Sequence, residues 1–305
     1  MRLDDDRKLF LEFIGETANV LDIHQEFVEK DYWLVLLLKE IFAKSNDYVF
    51  KGGTSLSKCY HLINRFSEDI DISYSEPYES LSASDINRRF KGITKAIKEV
   101  GLDIENKEQL RRSAYFNQFR CPYPSFFNSR TVEAKVIIEL AGQTPSFPSH
   151  KMRIQSFIGK YLEKINRHDL VMLYSLQPFD INVQALERTL VDKTFAICDY
   201  YLDNKTKNHS RHLYDIHKIL SAIDLNSDLA NLFSEVRNYR QKIVVCKSAQ
   251  EGNKLNYILN RIIEEDSFEK DYTGKTQNLL YENISYNQVK QSLITLKNFL
   301  SEFDV

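Results

Sequence analysis

Hydrophobic residues follow two periods along this chain, and the change from one to the other divides it. At helical spacing, residues 7–19 read as one helix and residues 25–44 as a longer one. In the second, Phe27, Leu34, Leu37, Leu38 and Ile41 make a broad apolar face. DYVF, ending at Phe50, reads as a short strand, residues 54–64 as a helix with Leu56, Tyr60 and Ile63 on one side, and IDISY as another strand. A helix over 85–99 is expected, with Ser84 as its cap and Gly101 as its stop. Residues 115–121 and 131–140 are strand candidates; TVEAKVIIEL, rich in β-branched residues, is the stronger, and LVMLYS at 170–175 is a further one. Beyond that the spacing is helical at 183–202, 211–221, 227–240, 254–264 and 287–300, with SAQEGNK, 248–254, the most loop-like stretch.

Proline and glycine follow the same division. All six prolines lie between Pro77 and Pro178, and after Pro178 the only glycines are Gly252 and Gly274. The expectation is an α+β fold: residues 1–178 form a small mixed sheet with helices, including the N-terminal pair, and residues 179–305 form a mainly α-helical domain. Composition adds limits. With 305 residues, 43% apolar, 28% charged and a net charge of −2, the chain is an ordinary globular one. Any nucleic-acid binding must come from local patches, since global charge does not supply it. Cys59, Cys121, Cys198 and Cys246 are far apart and show no C-x-x-C spacing, which fits a reducing compartment without structural disulfides. MRLDDDRKLFLEF lacks the apolar run of a signal peptide, and YWLVLLLKEIFA is too short to span a bilayer; a cytoplasmic location without membrane attachment is expected.

The chemistry-bearing stretch is FKGGTSLSKCYHLINRFSEDIDI, residues 50–72. Asp69 and Asp71 are two apart in an expected strand, so both carboxylates share a face while Ile70 and Ile72 point into the core. Side by side they repel unless a cation joins them, and Mg²⁺ takes such hard oxygen ligands. By itself, the alternation also suits a plain surface strand. Upstream, Gly52 and Gly53 permit a sharp turn, and Thr54 and Ser55 offer hydroxyls and free N–H groups at a helix start suited to phosphates. Lys58, one turn on, is placed to act as a point charge on a phosphate. A simple strand–turn–helix with a solvated lysine accounts for each piece but gives no reason for the carboxylate pair that follows. The G-x-x-x-x-G-K-[ST] and G-x-G-x-x-G patterns are absent, which disfavours a P-loop motor and a dinucleotide fold. Arg65 can serve phosphates or neutralise Glu68. Cys59 is expected on the inner side of its helix, and His209 and His212 lack the partners of a metal site.

This stretch resembles the minimal nucleotidyltransferase fold of the DNA polymerase β superfamily and, more closely, the AbiEii/AbiGii toxin family of abortive-infection and toxin–antitoxin systems. FVEKDYWLVLLLKEI at 27–41, LERTLVDKTFAI at 186–197 and RHLYDIHKI at 211–219 resemble further motifs of that family, in the same order. Gly53 and Asp69 are 16 apart, a longer gap than in much of the superfamily but compatible with the toxin branch. The resemblance implies a polymerase-β-like core, an NTP as co-substrate and Mg²⁺ or Mn²⁺ as cofactor. It also implies a third carboxylate on a neighbouring strand: Glu139, which shares a face with Lys135 and Ile137 in KVIIEL, with Glu133 as the competitor. Lys193 would contact the nucleotide phosphates and Asp215 would orient a base or a neighbouring side chain. From the residues alone, Glu187, Arg188, Asp192 and Lys193 can equally be the polar side of a buried helix, and Arg211 can pair with Asp215 at i,i+4. Characterised relatives modify the acceptor end of tRNA. That implies an RNA acceptor, held by basic residues interleaved with aromatics at 107–120, 151–167 and 205–218, and a cognate antitoxin. The alternatives are a nucleotidyltransferase acting on a protein or an aminoglycoside-type small molecule, and a nucleotide- or RNA-binding protein without turnover.

Overall fold

The computed structural model describes residues 1–112, 115–129, 132–142 and 144–303. The chain forms two compact units. The first comprises Met1–Thr54, Glu68–Pro145 and Ser149–Val183; the second comprises Ser55–Ser67, Ser146–Pro148 and Gln184–Val305. In chain order the elements are α1 (Arg7–Leu21), α2 (Gln25–Lys44), β1 (Tyr48–Lys51), α3 (Gly52–Lys58), β2 (Asp69–Tyr74), α4 (Ala83–Glu99), β3 (Phe116–Pro122), β4 (Lys135–Ala141), β5 (Ser149–Ile154), α5 (Phe157–Lys164), α6 (His168–Leu173) and β6 (Phe179–Gln184). There follow α7 (Leu186–Leu202), α8 (Arg211–Leu220), α9 (Ser227–Arg240), α10 (Leu255–Glu264), α11 (Glu269–Gly274) and α12 (Tyr286–Glu302).

The first unit is built on a mixed sheet in the order β3-β4-β2-β1-β6-β5. β1 runs antiparallel to β2 and β3 antiparallel to β4, whereas β2 with β4 and β1 with β6 are parallel. Alternation within β2 and β4 sends Ile70, Ile72, Val136 and Ile138 into the core, all with no exposed surface. Helix α2 covers β2 and β4 and packs on α1, α4 and α5. Its Val28, Leu37, Leu38 and Ile41 are fully buried. In the second unit, α7 packs on α8, α9 and α10, and α12 on α8 and α10. Leu190, Phe195, Leu213, Ile216, Phe233, Leu259, Leu293 and Leu296 form its dry centre.

Several local expectations are corrected. LVMLYS is not a strand but lies largely in α6. There Leu170 and Val171 are buried while Met172 and Leu173 face out, a pairing of neighbours that helical geometry gives and strand alternation does not. Ser82, not Ser84, caps α4, accepting from the Asp85 N–H at 3.1 Å. Gly101 stops that helix as expected, with φ +78 and N–H bonds from Gly101 to Lys98 and from Leu102 to Ile97. Helix α3 ends at Lys58 rather than 64, and His61 follows in the left-handed region. The helix expected from 183 starts at Leu186, because FDINVQ is strand β6; β5, α5 and α11 are additional. The strand expected over 131–140 begins at Lys135, and Thr131 lies outside the described residues.

Candidate active site

In the first unit, strand register lines up a polar row. Lys51 on β1 is opposite Asp71 on β2, Asp71 is opposite Glu139 on β4, and Glu139 is opposite Gln118 on β3. Partners in register share a face, so these four side chains cross four strands on one side of the sheet. Asp69, two residues before Asp71, joins them on that side and pairs with Ile137. All are half-buried, while the intervening Ile70, Ile72 and Ile138 fill the opposite face. Gln118 Nε2 donates to Glu139 Oε1 at 2.9 Å, and Arg120 Nε donates to Gln118 Oε1 at 3.0 Å, so Glu139 is held through one of its two oxygens.

The glycine turn is shaped by the same row. Gly52 has φ +76, and a Cβ built on it would lie 1.8 Å from Asp71 Oδ2 and 2.6 Å from Asp71 Cγ. A side chain there is excluded both by the backbone conformation and by the carboxyl group that occupies its space. Thr54, also of this unit, is buried at the start of α3. Glu133, the competing third carboxylate, is not on β4. Its side chain is 72% exposed and pairs with Lys135 at 2.8 Å, whose hydrogen bond holds it below the ordinary carboxylate range.

The second unit contains the other expected residues. Asp215 on α8 is completely buried. Arg65 grips it with both ends of its guanidinium, Nε to Oδ1 at 2.9 Å and Nη2 to Oδ2 at 2.8 Å, and Lys193 Nζ on α7 donates to Oδ2 at 2.6 Å. Burial works against the Asp215 charge, but the fields of Arg65 and Lys193 and their hydrogen bonds outweigh it and hold the group well below the usual carboxylate range. Asp215 therefore pairs with Arg65 and Lys193 and not with Arg211, which is exposed. In the first unit, Glu68 pairs with Lys30. Arg65 is fixed from behind: it bridges to Leu280, Tyr281 N–H donates to the Asn64 carbonyl at 2.9 Å, and Asn64 N–H donates to the Tyr214 hydroxyl oxygen at 2.7 Å. Burial and the Lys193 charge push the His212 imidazole well below its ordinary value and keep it neutral. His209 and His212 stack with Tyr200, the His209 ring 3.6 Å from it at an interplanar angle of 10°. Ser55 and Lys58, of the same unit, are buried.

Sequence reasoning did not single out Lys30, Lys51, Gln118 or the Arg65–Asp215 clamp. Lys51 and Gln118 needed the strand register, and Arg65 and Asp215 are 150 positions apart.

Among the described residues, no three or more His, Cys, Asp or Glu side chains already form a group able to cage a metal ion. Mg²⁺ commonly uses one or two protein carboxylates and completes its shell with water and phosphate oxygens. The donor chemistry of Asp69, Asp71 and Glu139, all oxygen and all on one face of paired strands, suits that mode of binding.

A mixed sheet with a glycine turn packed under a D-x-D strand, followed by a mainly helical region, defines a nucleotidyltransferase core of the polymerase-β type. The family model for the nucleotidyl transferase AbiEii toxin of type IV toxin–antitoxin systems matches residues 36–295, and the chain belongs to that family. It is thus a nucleotidyltransferase-family toxin, an enzyme, and its system implies a cognate antitoxin. Among solved structures, the chain is similar to MenT4, a nucleotidyltransferase toxin of Mycobacterium tuberculosis H37Rv, at 19% identity and TM-score 0.60 over 95% of this chain and 89% of that one. It is also similar to an H. pylori protein described as a nucleotidyltransferase, at 14% identity and TM-score 0.50 over 92% and 98%. No curated protein matches. Among the described residues, no helix is long and apolar enough to cross a membrane.

Proposed function

We propose that this enzyme transfers a nucleoside monophosphate from an NTP to the 3′ end of tRNA, blocking translation in the cytoplasm. The observation that carries the reading is the row in which Asp71 and Glu139 stand in register with Asp69 beside them and Gly52 packed beneath. Carboxylates gathered on an accessible face are costly for stability and useful for chemistry on a charged substrate. A divalent cation, Mg²⁺ or Mn²⁺, would supply charge neutralisation for the triphosphate when bound.

The chain's residues take these roles. Asp69 and Asp71 would hold such a cation, and Glu139 takes the proton of the acceptor hydroxyl. The hydroxyl oxygen forms a bond to the α-phosphorus, the α–β bridging bond breaks, and pyrophosphate leaves with that electron pair. The turn at Gly52, Gly53, Thr54 and Ser55 receives the nucleotide, and Lys58, Arg65 and Lys193 act on its phosphates. An ammonium has three donors, so Lys193 can serve a phosphate while bonded to Asp215. Asp215 orients Lys193 and Arg65. RNA as the acceptor is what the sequence resemblance implies, and the Tyr200–His209–His212 stack with the basic residues around it suits such a ligand.

The test is incubation with Mg²⁺, total cellular RNA and each labelled NTP in turn, beside Asp71→Ala. Label entering tRNA-sized RNA with the intact protein, and at least ~10³-fold less with the variant, is the expected result. Failure with all four nucleotides, or equal labelling by the variant, overturns it.

A further inference from the structure

Helix α2 buries three consecutive charged residues, Glu29, Lys30 and Asp31, at 0%, 3% and 6% exposure. Successive positions on a helix point about 100° apart, so each side chain leaves in its own direction. Glu29 accepts from Ser125 Oγ at 2.5 Å and Phe126 N–H at 2.8 Å, fastening the segment between β3 and β4; burial raises its carboxyl above the ordinary range. Asp31 accepts from the first N–H of α5, that of Phe157, at 2.7 Å. Both have a sufficient structural reason in the backbone groups they satisfy.

Lys30 differs. Its Nζ donates to the Glu68 carboxylate, one residue before β2, and to the Glu133 carbonyl at 3.2 Å, two residues before β4. Those are the two parallel strands carrying Asp69, Asp71 and Glu139. One buried ammonium thus ties together the entry points of both carboxylate strands, and Asp69 follows its Glu68 anchor directly. Burying a lysine to hold a carboxylate that is itself 38% exposed is a weak way to gain stability, because both charges give up hydration for a pair that water still reaches on one side. A hydrophobic residue at position 30 would pack α2 on the sheet without that cost.

We propose that Lys30 is a positioning residue for the catalytic carboxylates: through Glu68 and the Glu133 carbonyl it fixes the relative height of β2 and β4, and so the spacing of Asp69 and Asp71 against Glu139. This rests on the reading of those carboxylates as the cation-binding group.

A change in cation affinity separates positioning from plain electrostatics, because the two have opposite signs. Lys30→Met keeps the side chain's length and removes a positive charge near the carboxylates. Electrostatics alone makes that face more negative and tightens cation binding. Loss of positioning weakens it. The experiment titrates Mn²⁺ into wild type, Lys30→Met, Lys30→Arg, Glu29→Gln and Asp71→Ala, reading bound Mn²⁺ by electron paramagnetic resonance. Each variant is held well below its own Tm. Asp71-dependent binding in wild type, a tenfold or greater weakening in Lys30→Met, partial recovery in Lys30→Arg, and wild-type affinity in Glu29→Gln despite a lowered Tm are the expected results. Equal or tighter binding by Lys30→Met, beside Asp71-dependent binding in wild type, overturns the positioning role and leaves the enzyme reading standing. Binding that ignores Asp71 overturns both. If Lys30→Met does not fold, Lys30→Gln, which also removes the positive charge but keeps a polar tip, must show the weakening instead, and equal or tighter Mn²⁺ binding there overturns the proposal.

Discussion

The two units hold charge in opposite ways. In the first, Asp69, Asp71 and Glu139 lie half-buried on a sheet face, and Glu139 accepts a hydrogen bond from Gln118. In the second, Asp215 is sealed from water and its charge is answered by two cations, Arg65 and Lys193. A carboxylate of the first kind keeps part of its surface open to water. One of the second kind is committed to its partners and acts on a ligand only through them. An acidic residue therefore belongs to a site in one of two senses, and removing it fails in one of two ways: chemistry lost on an intact fold, or a fold opened around stranded charge.

Asp215→Asn should show the second failure, and the largest effect. The change keeps the shape but leaves Arg65 and Lys193 buried without their anion, which costs about 3–5 kcal/mol. Urea unfolding at neutral pH measures it. The pH dependence follows from the depressed carboxyl. Its stabilisation is fully present above the unfolded carboxylate value of about 4 and is lost as pH falls from there towards its much lower folded value. The gap between wild type and variant should accordingly narrow below about pH 4. A gap under about 1 kcal/mol at neutral pH would show that water reaches the cluster and would erase the contrast between the units.

Gly52→Ala probes the junction of backbone and chemistry. The new methyl needs the space of the Asp71 carboxyl, and the backbone stays in the left-handed region. Strain of about 1–3 kcal/mol is expected in stability, and the displaced carboxylate should lower nucleotidyl transfer more than the stability loss explains. Assay of the folded fraction at low temperature separates the two. Full transfer by folded Gly52→Ala would mean that the position of Asp71 is not critical.

What could be read in the sequence tracks how local each cause is. Asp69 and Asp71 were legible because period two is a property of neighbouring residues, and Glu139 because an acid closing an apolar strand is conspicuous. Strand β5 was not legible: as the sheet's edge it exposes Ser149, His150, Lys151 and Arg153, and so shows no hydrophobic alternation. LVMLYS misled because four consecutive apolar residues suit a buried strand or a short helix alike. The glycine turn was legible as a turn, but Asp71 as the reason for Gly52 was not, since the contact joins residues 19 positions apart. The partners of Asp215 were misjudged for a related reason: helical spacing proposed Arg211, whereas burial brought in Arg65 and Lys193.

The choice between Glu139 and Glu133 gives the smallest effect and the finest test of the row. Glu139 faces Asp71 in register and is oriented by Gln118, whereas Glu133 precedes the strand and is neutralised by Lys135 in water. Removing a general base typically costs about 10²–10⁴-fold. Glu139→Gln should fall at the lower end in kcat, since Gln keeps the hydrogen bond to Gln118 and the carboxylates of Asp69 and Asp71 remain. The KM for NTP should change little. Glu133→Gln should stay within about twofold of wild type, because an exposed ion pair contributes at most ~1 kcal/mol to stability and none of its atoms lies on the row. A reversed pair of results would move the third carboxylate to the β4 entrance. It would also mean that the Lys30 tie, which ends on the Glu133 carbonyl, holds a catalytic residue directly rather than the start of its strand.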